Sequence, residues 1–146
     1  MSQVANGQTT DKAVKPLSIT LTDGLQYTSA QLAKGPVVLV YFSPDCDHCQ
    51  HFTEYMIKNY NKVANKQVVM ITFQDMSMLK PFVNRYKLSQ YPNIKVGTKG
   101  QTLLVQRYYG IQSFPYVAIY DKAGKHFGTS EGDKPYDQIF GVLEGI

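Results

Sequence analysis

The apolar residues of the chain fall into short runs, some with the periodicity of strands and some with that of helices. Residues 37–42 (Val-Val-Leu-Val-Tyr-Phe) are continuously apolar and rich in β-branched side chains, which is typical of a central strand buried on both faces. Residues 67–73 and 116–120 predict two further core strands. Residues 17–21 alternate between apolar and polar positions, so we expect a half-buried strand there.

Apolar residues spaced by three and four positions predict helices elsewhere. In residues 46–64 such a stripe is formed by Cys49, Phe52, Met56, Tyr60 and Val63. Further helices are predicted over residues 78–88, 102–109 and 135–143, and a short helical turn over 28–33. Since proline removes a backbone donor, Pro81 is expected to fit only near the first turn of its helix.

The remaining elements complete an alternating order of strands and helices. Residues 93–96 are a strand candidate, and residues 126–129 are expected to form an edge strand paired through the turn at 121–124. Asp23-Gly24 is a hairpin-turn signal after the first strand. This order predicts an α/β domain with helices on both faces of one sheet. We expect residues 1–15 to be a flexible leader and residues 16–146 to be one domain.

Composition excludes several classes of protein. The 146 residues are 43% hydrophobic and 18% charged, as in a globular domain. The net charge of +4 comes without a dense basic block, so we expect no nucleic-acid partner. No stretch approaches the roughly 20 apolar residues that cross a bilayer. The polar start lacks the apolar core of a signal peptide, so we expect either a cytosolic protein or one whose export segment was removed.

The two cysteines carry the clearest chemical signal. Cys46 and Cys49 flank Asp47-His48, directly after the predicted central strand and at the start of a predicted helix. A helix N-terminus favours a thiolate over a thiol. We therefore expect Cys46 to be an attacking nucleophile and Cys49 to be a resolving thiol, with the two forming a redox disulfide. A passive bridge is the alternative, but so short a loop would add little stability.

Two separated segments together resemble the thioredoxin-like superfamily. Residues 37–49, Val-Val-Leu-Val-Tyr-Phe-x3-Cys-x-x-Cys, resemble its active-site strand and helix, and residues 108–116 resemble the segment that carries its cis-proline. Residues 120–125 look like its final hairpin. The extra helix before the proline segment resembles the TlpA/ResA-like branch, which shares its architecture with peroxiredoxin-like proteins. The resemblance implies a three-layer α/β/α fold with a central mixed sheet and an N-terminal β extension.

The resemblance also implies a function and a substrate groove. The protein would be a thiol–disulfide oxidoreductase without a cofactor, which exchanges disulfides with partner proteins and takes electrons from an upstream donor. Pro115 would be cis and face the cysteines, and we expect Phe114, Pro115, Asp45 and Asp47 to contact the substrate. Tyr116 is interpreted equally well as a groove residue or as core. A monomer in the periplasm or another extracytoplasmic compartment is expected, with a membrane tether outside this chain left open.

Three positions depart from the family pattern. Val40 stands where thioredoxins have a buried acid, Asp45 stands where a tryptophan is common, and Asp47-His48 replaces Gly-Pro. The proton acceptor for Cys49 is therefore open, with Glu54 and Tyr41 as the nearest ionisable residues in sequence. We expect His48 to favour the Cys46 thiolate and the two aspartates to oppose it. We expect a reductant, with oxidant and isomerase left open as alternatives.

Other functions fit less well. One group of possible metal ligands is present, formed by Cys46, His48, Cys49 and His51. A closed zinc site usually has two ligand pairs, so no metal is expected. A peroxidase would need a Pro-x-x-x-Thr-x-x-Cys stretch, which residues 43–46 do not provide. A non-catalytic interaction or metal-carrier module on the same fold is the competing function.

Overall fold

Three buried strands form the centre of the molecule in the computed structural model, which describes residues 18–132 and 135–146. Strand β3 (Val37–Phe42) is buried along its whole length. It pairs in parallel with β4 (Gln67–Thr72) and antiparallel with β6 (Tyr116–Tyr120). The predicted central strand and its two core neighbours are thus confirmed. Because successive side chains point to opposite faces, a fully buried strand requires cover on both sides of the sheet.

Four more strands extend this centre into a seven-stranded mixed sheet of order β2-β1-β5-β4-β3-β6-β7. Strands β1 (Ser18–Leu21) and β2 (Gln26–Thr28) form a hairpin through Gly24, whose φ is +89°, and β1 joins the sheet beside β5 (Ile94–Thr98). At the other edge, β7 (His126–Glu131) pairs with β6. The expected N-terminal β extension is confirmed, whereas Leu17 and the expected leader lie outside the described residues.

Helices cover both faces of this sheet. Helices α1 (Asp47–Lys58), α2 (Met76–Arg85) and α4 (Tyr136–Leu143) bury their apolar stripes in one core. Helix α3 (Leu104–Tyr109) packs into the second core on the opposite face through Val105 and Tyr109. The three-layer α/β/α architecture is therefore confirmed. None of the helices in the described ranges combines the length and the apolar character needed to span a membrane.

Helix α1 is shorter than its apolar stripe predicts. It ends at Lys58 rather than at residue 64, and a short 3₁₀ helix (Tyr60–Lys62) follows. Asn59 leaves the helical conformation, with φ −113° and ψ 35°, and its side-chain amide and backbone N–H both donate to the carbonyl of Tyr55 (2.9 and 3.0 Å). Val63 is still fully buried, so the stripe correctly identified the core and misplaced the helix end.

Helix α2 begins two residues earlier than predicted, because Asp75 caps it by accepting from the amide of Met78 (3.3 Å). Pro81 consequently lies in the second turn, and the expectation that it fits only near the first turn was wrong. Proline at that position leaves the carbonyl four residues earlier, that of Ser77, without its helical partner. Both residues are exposed, so water can replace the lost hydrogen bond.

Candidate redox site

Cys46 is the N-cap of α1, at the carboxyl end of the central strand. Its backbone N–H donates to the carbonyl of Ser43 (3.1 Å), which closes the turn between β3 and α1. Its Sγ atom accepts from the backbone N–H of Cys49 at 3.3 Å, in the position of a capping oxygen. The side chain is half-buried. The thiol predicted to be the nucleophile therefore lies at the positive end of the helix with part of its surface open.

Cys49 lies one turn further along and is 1% exposed. Burial, first of all, raises the pKa of its thiol, and hydrogen bonding to Cys46 and the charge of Asp45 raise it further. A backbone hydrogen bond from Ser43 acts in the opposite direction and does not outweigh these effects. Cys49 is therefore a protonated thiol at neutral pH. Both cysteines are free thiols in the structure, so their disulfide stays a prediction.

A polar chain that the sequence analysis missed supports the turn beside the cysteines. The hydroxyl of Ser43 donates to the carboxylate of Asp45, and the side-chain amide of Gln74 donates to Ser43 Oγ (3.3 Å). Thr98 Oγ1 in turn donates to the carbonyl of Gln74. Ser43 is 4% exposed, so this chain ties an otherwise exposed aspartate to the buried strand ends. Its only sequence signal is that Ser43 and Gln74 directly follow predicted strands.

The two residues between the cysteines lie in the exposed first turn of α1. Asp47 is there a favourable charge for the helix dipole. The backbone carbonyl of His48 accepts from the hydroxyl of Tyr136 (3.0 Å), which anchors the start of α1 to α4. The expected effects of Asp47 and His48 on the Cys46 thiolate, and the expected substrate contacts of Asp45 and Asp47, stay predictions.

The proline segment lies at the same end of the sheet as the cysteines, since Tyr116 pairs with Tyr41 in β3. The Phe114–Pro115 peptide bond is cis, as the resemblance implied. The half-buried ring of Phe114 packs against Tyr41 and Phe73, with ring centroids 5.6 and 5.9 Å away. It also contacts the same core as Cys46. The substrate-binding roles of Phe114 and Pro115 remain predictions.

Tyr116 is a core residue and not part of a groove. It is 3% exposed, and its ring packs against that of Tyr109, with the centroids 5.7 Å apart. Burial raises the pKa of its hydroxyl. Of the two interpretations left open for Tyr116, the structure supports packing.

Neither of the proton acceptors suggested by sequence position is placed for that role. Tyr41 belongs to the core on the opposite face of the sheet from Cys49, and burial raises the pKa of its hydroxyl to about 12. Glu54 is exposed and accepts from the hydroxyl of Tyr86 (3.2 Å), on the side of α1 that faces α2. Val40 is fully buried where the family has its acid. Among the described residues no group of three or more His, Cys, Asp or Glu side chains could hold a metal ion.

Comparisons with known proteins agree with this geometry. A family model described as a thioredoxin-like domain matches residues 25–146. A secreted disulfide oxidoreductase of Mycobacterium tuberculosis, homologous to DsbE of Escherichia coli, superposes with a TM-score of 0.74 at 18% identity, over 89% of this chain and 96% of its own. A thiol-disulfide oxidoreductase from Bacteroides fragilis gives a TM-score of 0.74 at 15% identity, over 91% and 98% of the two chains.

A third solved structure, the exposed lipoprotein thioredoxin of Streptococcus pneumoniae, gives a TM-score of 0.64 at 21% identity, over 90% of this chain and 100% of its own. No curated protein matches the sequence significantly. At these identities the solved structures establish the fold, and the family model covers most of the chain. The chain belongs to the thioredoxin-like domain family.

Proposed function

We propose that this protein is a thiol–disulfide oxidoreductase that acts on partner proteins through Cys46 and Cys49. One observation carries the proposal: the half-exposed sulfur of Cys46 lies 3.3 Å from the N–H of Cys49, at a helix N-terminus. The second thiol is buried behind it and held protonated. A two-step exchange needs an accessible sulfur that the helix stabilises and a second thiol that is shielded from solvent.

In the first step the Cys46 thiolate attacks one sulfur of a partner disulfide. A mixed disulfide forms, the partner's S–S bond breaks, and its other sulfur leaves as a thiolate. In the second step Cys49 gives its proton to the partner thiolate released in the first step and attacks Cys46 Sγ. The second partner sulfur leaves as a thiolate, so the partner gains two electrons and the protein holds a Cys46–Cys49 disulfide. The raised pKa of Cys49 keeps it from competing with Cys46 for the partner disulfide in the first step.

We propose further that the protein works as a reductant in an extracytoplasmic compartment, recharged by an upstream dithiol protein. Two structural neighbours are described as secreted or exposed, which supports this location. The chemistry of the two thiols needs no cofactor. A redox titration of the cysteine pair decides the direction: a potential near ~−270 mV is that of a reductant, and one near ~−120 mV is that of an oxidant.

Reduction of insulin with dithiothreitol as electron donor tests the proposed activity. The wild-type protein is expected to accelerate the reaction, and Cys46→Ser to abolish the acceleration. His51→Ala is a matched control, because His51 is exposed on the same helix. The substitution removes a titratable group and leaves both sulfur atoms in place. Full turnover by Cys46→Ser, or no acceleration by the wild-type protein, would leave the competing function of a non-catalytic interaction or carrier module.

A further inference from the structure

The carboxylate of Glu131 holds the backbone just before the proline segment. Its Oε1 atom accepts from the N–H of Gln112 (2.9 Å) and from the N–H of Ser113 (3.1 Å). Glu131 is the last residue of β7, and the two amides immediately precede Phe114 and Pro115. One side chain from the edge strand therefore joins two consecutive amides of the loop that enters the site.

Gly132, the residue after Glu131, contacts the same segment on the other side of the Phe114–Pro115 peptide bond. The N–H of Gly132 donates to the carbonyl of Pro115 (3.0 Å). Gly132 has a φ of +72°, and a Cβ atom there would lie 3.3 Å from Cβ of Ser113. This close approach to the Ser113 side chain, together with the left-handed φ, favours glycine. The end of β7 thus contacts the loop on both sides of the Phe114–Pro115 peptide.

The loop amides need such a partner to stay in place. Gln112 and Ser113 are exposed, so water competes for their N–H groups. A carboxylate gives charge-assisted hydrogen bonds, which are stronger than bonds to water or to a neutral group. With both bonds to one oxygen, the two consecutive peptide planes are held in a fixed orientation.

We propose that Glu131 is a positioning residue that holds the 112–115 backbone ready to receive an extended segment of a partner protein. The proposal rests on the function proposed above. Recognition of an added strand depends on main-chain groups that are already in position, and preorganisation reduces the entropy lost on binding. A small disulfide reaches Cys46 without this backbone. Glu131 therefore matters for protein disulfides and not for small ones.

The matched control lies at the opposite end of the same hairpin. The Asp121 carboxylate also accepts two backbone amides with one oxygen, from Ala123 (2.9 Å) and Lys125 (3.0 Å). Asp121→Ala removes the same kind of clamp and the same charge, at the end of β6 away from the cysteines. Glu131→Gln keeps an acceptor oxygen without the charge, and Glu131→Ala removes both.

Amide hydrogen exchange tests whether Glu131 holds the two amides, and enzyme kinetics test whether this contact matters for protein substrates. In Glu131→Ala the amides of Gln112 and Ser113 are expected to exchange about tenfold faster, the effect of losing hydrogen bonds worth ~1.4 kcal/mol. The KM for insulin is expected to rise by a similar factor, while kcat and the rate with dithiobis-nitrobenzoate change less than about twofold. Glu131→Gln keeps an acceptor without the charge and is expected to recover only part of both effects, and Asp121→Ala to leave both unchanged.

Three outcomes would overturn the proposal. If the two amides exchange at an unchanged rate in Glu131→Ala, Glu131 does not hold them in place, whether or not the protein is active. An equal loss of rate with insulin and with the small disulfide shows general damage to the site. A rise in KM in Asp121→Ala as large as in Glu131→Ala shows that hairpin stability is responsible. If exchange responds as expected and the wild-type protein turns over neither substrate, the proposed function fails and the positioning role for a partner chain fails with it.

Discussion

The backbone N–H of Cys49 donates to Sγ of Cys46 across 3.3 Å, so the proposed nucleophile is also the cap of its own helix. In most helices a serine, threonine or aspartate oxygen fills this position. The hydrogen bond and the helix dipole both favour negative charge on the sulfur. One contact thus links the stability of α1 with the reactivity of the site.

This double role predicts different stabilities for two inactive variants. Cys46→Ser supplies a hydroxyl oxygen, one of the best N-caps, whereas Cys46→Ala leaves the amide of Cys49 without a side-chain acceptor. We expect the alanine variant to be less stable than the serine variant by about 1 kcal/mol. Urea unfolding of both reduced proteins measures the difference. Equal free energies of unfolding would show that the sulfur contact does not cap the helix.

The raised pKa of Cys49 predicts a loss of stability at alkaline pH. In the unfolded chain this thiol loses its proton near its ordinary pKa of 9.0, whereas the folded protein keeps it protonated above that value. The unfolded state therefore binds fewer protons, and the free energy of unfolding falls as the pH rises above 9. By pH 10 this contribution amounts to about 1.4 kcal/mol.

Cys49→Ala isolates that contribution, because it removes the titrating thiol and keeps its backbone amide. Urea unfolding under reducing conditions at pH 8 and pH 10 is the measurement. Between these pH values the wild-type protein is expected to lose more stability than Cys49→Ala. A parallel decline in both proteins would contradict the raised pKa.

The fold was largely predictable because its strongest signals are local. An unbroken apolar run such as residues 37–42 can be satisfied only by burial on both faces, and the structure buries it completely. Helix ends were less predictable, because they depend on single capping contacts. Helix α1 ends where Asn59 leaves the helical conformation, although its apolar stripe continues, and α2 begins at the Asp75 cap, two residues before its predicted start.

Gly97 shows how a residue of no chemical interest can hold the N-terminal hairpin to the sheet. A Cβ atom at this position would lie 2.7 Å from the carbonyl oxygen of Thr20 and 3.0 Å from Cδ1 of Ile19. Gly97 pairs with Leu21, where β1 and β5 meet. We expect Gly97→Ala to cost about 1–3 kcal/mol, as overpacking does.

Gly141→Ala is the matched control for Gly97→Ala. Gly141 lies within α4, and a Cβ atom there meets nothing within 4 Å. Since alanine favours helix over glycine by about 1 kcal/mol, this variant is expected to gain stability. Thermal unfolding of the two variants should shift in opposite directions. A neutral Gly97→Ala would show that the hairpin can move away from β5 at no cost.

The site was only partly predictable, since its supporting contacts join residues distant in sequence. The cysteines are evident from their spacing, but the contact between Gln74 and Ser43 spans 31 positions, and that between Glu131 and Ser113 spans 18. Neither pair has a motif of its own. Such contacts arise where strand ends meet, and the order of strands in the sheet cannot be read from a local pattern.

Val40→Asp tests how much stability this protein would lose if it carried the buried acid of its family. The Val40 side chain is fully buried in the same core as Cys49, and its strand neighbours are Met70 and Val117. A carboxylate there would lose its hydration among apolar side chains, so Asp at this position would stay protonated well above its ordinary pKa. Val40→Asp is therefore expected to destabilise the fold in a pH-dependent manner.

The direction of this pH dependence follows from the protons bound by the folded and unfolded states. Above about pH 4 the unfolded chain of Val40→Asp releases a proton that the folded protein retains, so its free energy of unfolding falls as the pH rises. Val40→Asn has nearly the same shape and does not titrate. We expect the two variants to be similarly stable near pH 3.5 and Val40→Asp to be weaker by about 2 kcal/mol or more at pH 7.5. Urea unfolding at both pH values measures this. Equal stabilities at pH 7.5 would mean that a charge at position 40 reaches water or a partner, and that this core can accommodate the family's acid.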